Sequence, residues 1–208
     1  MSLRKHRAAA LAVAASAALL MAPVSSATAS PAKAQPKAPG FLAAADIPDG
    51  SGTEWTAGKV TRGTTEAPPF CLEKVLPAKG ATWHRQYHSD LDTGALQLSV
   101  TSPSTSAAAR LFAAAEKAVA RCAGDWLTAT PGATASWKDH GKLAVEEGAH
   151  VYGIQTELPG STVDSHLIGI GRDGRTVTFV MWGQMGGLED TPVPAFKKAT
   201  VKAVQKLH

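Results

Sequence analysis

The sequence predicts an α+β domain in which an antiparallel, meandering β-sheet packs against two main α-helices, with one disulfide. Three observations carry that prediction. An alanine-rich run over 106–122, SAAARLFAAAEKAVARC, repeats its apolar positions at helical spacing. Three later stretches, 150–158, 163–172 and 175–182, alternate or run apolar and are separated by the turn signals Pro159-Gly160 and Asp173-Gly174. The chain has two cysteines, Cys71 and Cys122, 51 positions apart.

The N-terminus reads MSLRKHR, then AAALAVAASAALLM, then the small-residue site Ala27-Thr28-Ala29. A positive start, an apolar core and an A-x-A site in that order mark residues 1–29 as a Sec-type secretory signal peptide. A bilayer-spanning helix needs about 20 predominantly apolar residues. This core is shorter, interrupted by Ser16 and followed by Pro23, so no membrane span is expected after cleavage. No cysteine lies near the cleavage site to take a lipid anchor, and the mature protein is expected outside the cell.

Cleavage removes Arg4, Lys5 and Arg7 and no acid. The 21 Lys and Arg fall to 18 against 17 Asp and Glu, and the mature net charge is +1 instead of +4. Nucleic-acid binders cluster Lys and Arg over one face; here the one basic cluster is Lys197, Lys198, Lys202 and Lys206, and no nucleic-acid partner is expected. Two cysteines in an oxidising compartment are most simply one bridge, Cys71 to Cys122. Closing a loop of about 52 residues is worth roughly 4 kcal/mol on the chain-entropy model.

Residues 30–40, SPAKAQPKAPG, show no apolar periodicity and read as a disordered Pro/Ala/Lys linker. The 168 residues of 41–208 suit a single domain, long enough to bury roughly 70% of the surface of its unfolded chain. Its elements follow in order. Residues 41–46 form a short helical turn stopped by Pro48. The Gly, Thr and Pro content of 49–69 predicts an irregular segment pinned by Trp55 packing inward. Strands over 82–88 and 96–101, joined by DLDTG, form a hairpin. Ser102-Pro103-Ser104 breaks the second strand and caps the long helix. Gly124 is placed to end that helix. Its buried face carries Leu111, Phe112, Ala115, Ala118, Val119 and Cys122.

A weakly defined strand over 136–140 precedes the three apolar ones, and short turns make neighbouring strands antiparallel. After Gly186-Gly187, Phe196, Ala199, Thr200, Ala203, Val204 and Leu207 stand at one helical face, an amphipathic terminal helix with its lysines outward. One apolar face on each helix and one on the sheet place both helices on the same side of the sheet, leaving the other to solvent or a partner.

No motif points to a reaction. Gly169, Gly171 and Gly174 match a dinucleotide-binding pattern, but a strand follows where a helix N-terminus is required. His84 and His88 share a strand face about 13 Å apart, too far to share an ion, and no third ligand stands near; no metal or cofactor is expected. His140, His150 and His166 are candidates to meet across the sheet. Asp139-His140 and Asp164 with His166 supply a base and an orienting acid without a nucleophile, so no catalytic residue is assigned. Trp126, Trp137 and Trp182, with Met181, Met185 and glycines 183, 186 and 187, are the candidate ligand groove, an apolar wall beside a Gly-rich connection. Aromatic core packing is the alternative for them.

The order of elements resembles the PknH-like extracellular domain family. It runs from Phe41-Leu42 and Asp46-Ile47-Pro48 through Trp55, Cys71, the hairpin and the helix ending in Cys122 to the antiparallel strands and last helix. The likeness spans about 41–207. It implies a binding or sensing module with a ligand cleft, as at the sensor ends of bacterial receptor Ser/Thr kinases, and carries over no catalytic residue. One possible disulfide stands where kinase-linked members have two, and no kinase follows, so any signal would pass by contact with another protein. The leading expectation is a secreted, non-catalytic domain of the bacterial envelope or medium that binds a small apolar ligand or an envelope protein. A secreted hydrolase and a surface-contact or inhibitory envelope protein are the alternatives.

Overall fold

The computed structural model describes residues 37–208 except 50, 51, 53, 78–80 and 92. The signal peptide expected over residues 1–29 and most of the expected leader lie outside the described residues. Strands β1 (Trp55–Ala57), β2 (Thr61–Arg62), β3 (Ala81–Ser89) and β4 (Thr93–Thr101) precede helix α1 (Thr105–Ala129). Strands β5 (Thr134–Leu143), β6 (Ala149–Glu157), β7 (Val163–Asp173) and β8 (Thr176–Met185) precede helix α2 (Val193–Gln205). All eight strands join one sheet in the order β1-β3-β4-β8-β7-β6-β5, with β2 also on β3, and every pairing is antiparallel. The sheet is a hairpin and a four-stranded meander, sewn together where β4 meets β8. α1 carries the chain from that seam across the sheet to its far edge.

The helices lie on opposite faces, which corrects the one-sided packing expected from sequence. Leu98, Val100, Ile154, Ile168, Ile170, Val177 and Phe179 pack with Ala115, Val119 and Cys122 of α1. Val151, Leu167, Val180 and Trp182 pack with Phe196, Ala199 and Ala203 of α2. The central strands are therefore buried on both sides, and Ala149–Ile154 has no exposed residue at all. Such strands read as continuous apolar runs instead of alternating ones.

Gly169 and Gly171 let α2 lie close to β7. A Cβ at Gly169 would stand 2.3 Å from Thr200 Oγ1, and one at Gly171 2.2 Å from Val204 Cγ2. Gly174 makes the hairpin tip with φ +53°. The dinucleotide-like glycines are thus two helix-packing positions and a turn.

α1 starts where expected, with Ser104 Oγ accepting from Ala107 N at 3.1 Å. It does not stop at Gly124 but runs to Ala129. One exposed glycine costs a helix about 1 kcal/mol, which Ala, Asp, Trp and Leu around it absorb. The stop comes at Thr130, which Pro131 drives out of helical geometry (φ −131°, ψ 80°). The segment 49–69, expected to be irregular, contributes β1 and β2, and Trp55 Nε1 donates to Pro48 O at 3.1 Å.

The Cys71–Cys122 disulfide ties the segment before β3 to α1, with Cα atoms 5.4 Å apart. Cys71 has φ 68°, a left-handed conformation that a non-glycine residue holds only at a cost of about 1–3 kcal/mol. Leu72 beside it is fully buried. On the α2 side, the β4/β8 seam is polar. Ser99 and Thr178 hydroxyls lie 3.0 Å apart, those of Thr101 and Thr176 3.1 Å, and Gln97 Nε2 donates to Thr178 Oγ1 at 3.2 Å. Gln97 Oε1 accepts from Leu42 N at 2.8 Å, and Leu42 O accepts from Tyr87 Oη at 2.9 Å. Those bonds seat the segment before β1 on the sheet, and Gly40 N donates to Lys206 O at 2.9 Å.

Candidate functional site

Side chains alternate between the two faces of a strand, and where both occupants of a facing pair are glycine the sheet shows bare backbone. Gly94 of β4 stands opposite Gly183 of β8, one step beyond the pair Leu96 and Met181. On β7, His166 faces Gly183 and Asp164 faces Met185. All these residues lie on the α1 face, and no α1 residue is among those that border the cleft. They border an open cleft of about 490 Å³, walled on β3 by Gln86 and His88 and from above by Pro69. A Cβ built on Gly94 would meet nothing within 4 Å, so the cleft floor at this point is peptide backbone.

The disulfide shapes one wall. Pro69 and Phe70 immediately precede Cys71, and the Phe70 ring lies 4.9 Å from that of His166, tilted by 47°. The stapled segment thus fills the space between α1 and the sheet up to Pro69, where the cleft begins. A second hollow continues it past Pro69, bordered by Thr65, Glu66 and Ala67.

The groove residues read from sequence separate into two groups. Met181 and Met185 line the cleft, Met185 with 49% of its surface exposed. Trp182 adjoins it through its backbone, while its ring is buried in the α2-side core and its Nε1 has no partner. Trp126, near the end of α1, does not line the cleft. Trp137 does not either; it sits on edge strand β5, stacked on Tyr152 with centroids 6.0 Å apart. Gly183 is part of the floor, whereas Gly186 and Gly187 are held down. Gly186 N donates to Val163 O at 2.7 Å, Gly186 O accepts from Ser165 Oγ at 2.7 Å, and Leu188, which follows Gly187, donates its N to Gln155 Oε1 at 2.9 Å. Asp164 was paired with His166 from sequence, but Pro69 and Gly94 were not legible as their neighbours, because the β4–β8 and β7–β8 pairings and the stapled segment bring them together.

The three histidines do not meet. His140 is the extra residue of a bulge between Asp139 and Gly141, which turns it to the α2 face beside Gly153 and Leu188. Burial, then Lys138 and Lys197, lowers its pKa. His150 and His166 share the α1 face but pair with Ile170 and Ile154 respectively, four positions apart along the strands. His84 Nδ1 lies 2.8 Å from Gly63 O.

His150 instead forms a cluster that the sequence did not disclose. Its Nδ1 is 2.8 Å from Glu116 Oε1 of α1 and its Nε2 2.7 Å from Asp139 Oδ1 of β5. Tyr152 Oη is 2.8 Å from the same Nδ1. The hydrogen bond from His150 holds the Asp139 carboxyl below the usual carboxylate range, with Gly141 N assisting against the opposing effect of burial. Both ring nitrogens are already engaged, so this cluster ties α1 to the sheet edge and leaves no free base. No group of three or more His, Cys, Asp or Glu among the described residues is arranged to hold a metal ion. No helix among them is long and apolar enough to cross a membrane.

No protein-family model matches the chain, and no curated protein is significantly similar to it. Among solved structures, the extracellular domain of PknH from Mycobacterium tuberculosis is similar at 14% identity and a TM-score of 0.45, over 73% of this chain and 85% of that one. That is a distant likeness of fold.

Proposed function

We propose that this protein is an exported, non-catalytic binding domain whose ligand site is the cleft over Gly94 and Gly183. The observation that carries the reading is the cleft itself: its volume of about 490 Å³ falls in the range of roughly 300–1,000 Å³ common to small-molecule sites. Leu96, Met181, Met185 and Pro69 give it apolar walls, and His88, Asp164 and His166 give it a few polar groups for orientation. Its walls stand on strands and on a disulfide-held segment, so a ligand meets a surface already formed, which lowers the cost of ordering on binding. Export rests on the N-terminal signal pattern, and the non-catalytic reading on a cleft whose histidines stand beside no activated nucleophile.

Native mass spectrometry of the protein from its own culture medium tests this. The wild-type protein is expected to carry a small-molecule adduct and Gly94→Leu to carry none, since a Cβ there meets nothing within 4 Å and the side chain beyond it takes up cleft space. An adduct that survives Gly94→Leu undiminished, or a wild-type protein that retains and responds to no small molecule, overturns the proposal.

A further inference from the structure

The charge of the cleft indicates the class of its ligand, an inference that rests on the binding reading above. Among the described residues no Lys or Arg lines the cleft or the hollow that continues it, whereas Asp164 stands at one end and Glu66 in the continuation. Asp164 is half-buried and its carboxylate takes no hydrogen bond or ion pair among the described residues. A carboxylate drawn partly out of water without a counter-charge is unfavourable, and a cation bound beside it offsets that. His166 does not provide the charge. Burial lowers its pKa against the pull of Asp164, and the ring is neutral at neutral pH.

The remainder of the surface is flat and soft. Gly94 presents backbone open to the cleft, Gly183 presents backbone bordered by the His166 ring, whose Nδ1 lies 3.1 Å from where a Cβ would stand, and the thioethers of Met181 and Met185 adapt to the face or edge of an aromatic ring. An anionic ligand would enter against two carboxylates. A neutral one would desolvate Asp164 further and leave it unpaired. We propose that the cleft binds a flat aromatic ring bearing a positively charged amine, the ring on the Gly94–Gly183 floor beside the methionines and the ammonium on Asp164.

Three probes of one shape separate the possibilities: naphthylmethylamine, naphthylmethanol and naphthoate, each titrated into the full mature protein while the Gly94 and Gly183 amides are followed by NMR. The amine is expected to bind about tenfold more tightly than the alcohol, a step of about 1.4 kcal/mol, with naphthoate weakest. Asp164→Asn should bring the amine to the level of the alcohol and leave the alcohol unchanged. Raising the salt on the wild-type protein should weaken the amine alone, a readout that needs no variant to fold. Equal binding of amine and alcohol, insensitive to salt and to Asp164→Asn, overturns the cation and leaves the cleft standing as a site. If no probe moves either glycine, the binding reading fails and this inference fails with it.

Discussion

On one face of one sheet the chain places a histidine beside carboxylates twice, and the two places are built oppositely. At the α1-covered end, Glu116 and Asp139 close on both nitrogens of His150 and Tyr152 adds a hydroxyl. In the cleft, His166 lies tilted against Phe70 while Asp164 has no hydrogen-bond or ion-pair partner among the described residues. Buried polar groups in folded proteins are hydrogen-bonded as a rule. The closed cluster obeys that rule and holds the fold together; the half-buried Asp164 faces an open cleft, where solvent or a ligand can meet it. Residue type does not separate structural polar groups from functional ones here. Satisfaction does.

The comparison can be broken at several points. Replacing both Cys71 and Cys122 by Ser removes the element common to the two ends, and the loss is expected to approach about 4 kcal/mol in urea unfolding, with the cleft wall at Pro69 loosened as well. Next comes packing on the opposite face: Gly171→Val pushes into Val204 and should cost about 1–3 kcal/mol by the same measurement. His150→Phe leaves the Glu116 and Asp139 carboxylates without their shared donor. Asp139 is partly exposed, so a loss of about 1–2 kcal/mol is expected. His166→Phe deletes no hydrogen bond and keeps the ring contact, and its stability at neutral pH should stay within about 0.5 kcal/mol of wild type.

Acidification sharpens the contrast further. The folded-state pKa of His166 is lowered, so the unfolded chain takes up that proton first and stability falls as pH drops below about 6.5. His166→Phe should remove that component from a series of urea midpoints, and an unchanged slope would show that the ring is not held neutral. Asp139, also lowered, stabilises the fold above about pH 4 and loses that contribution as pH falls further. His150→Phe should flatten this lower limb. Gly94→Leu, which enters open space, is expected to change stability by less than about 0.5 kcal/mol while blocking the cleft.

Most elements were legible because their periods are strong. α2 keeps the predicted face of Phe196, Ala199, Thr200, Ala203 and Val204, and the disulfide followed from two cysteines and a compartment. The sidedness of the helices was misread although a signal existed: HVYGI, LIGIG and TVTFVMW are apolar without alternation, which is what burial on both faces requires. The cleft was legible by halves. Met181, Met185 and Gly183 drew attention as an apolar stretch next to glycines. Gly94 carries no local mark and Asp164 was noticed only beside His166; their register across β4, β8 and β7 brings them to one cleft. Trp126 and Trp137 were drawn in by residue type alone.

The seam between β4 and β8 has a consequence for assembly. Its facing residues, such as Leu98 and Phe179, are so distant along the chain that a nascent polypeptide finishes its first hairpin long before the matching strand is made. Non-local pairing of this kind is slow to form, and a waiting strand edge can accept a foreign partner. The hydroxyls of Ser99, Thr101, Thr176 and Thr178 act there as a checksum. A slip of one position by either strand would turn that strand's hydroxyls toward the oily side beneath α1 and part both pairs.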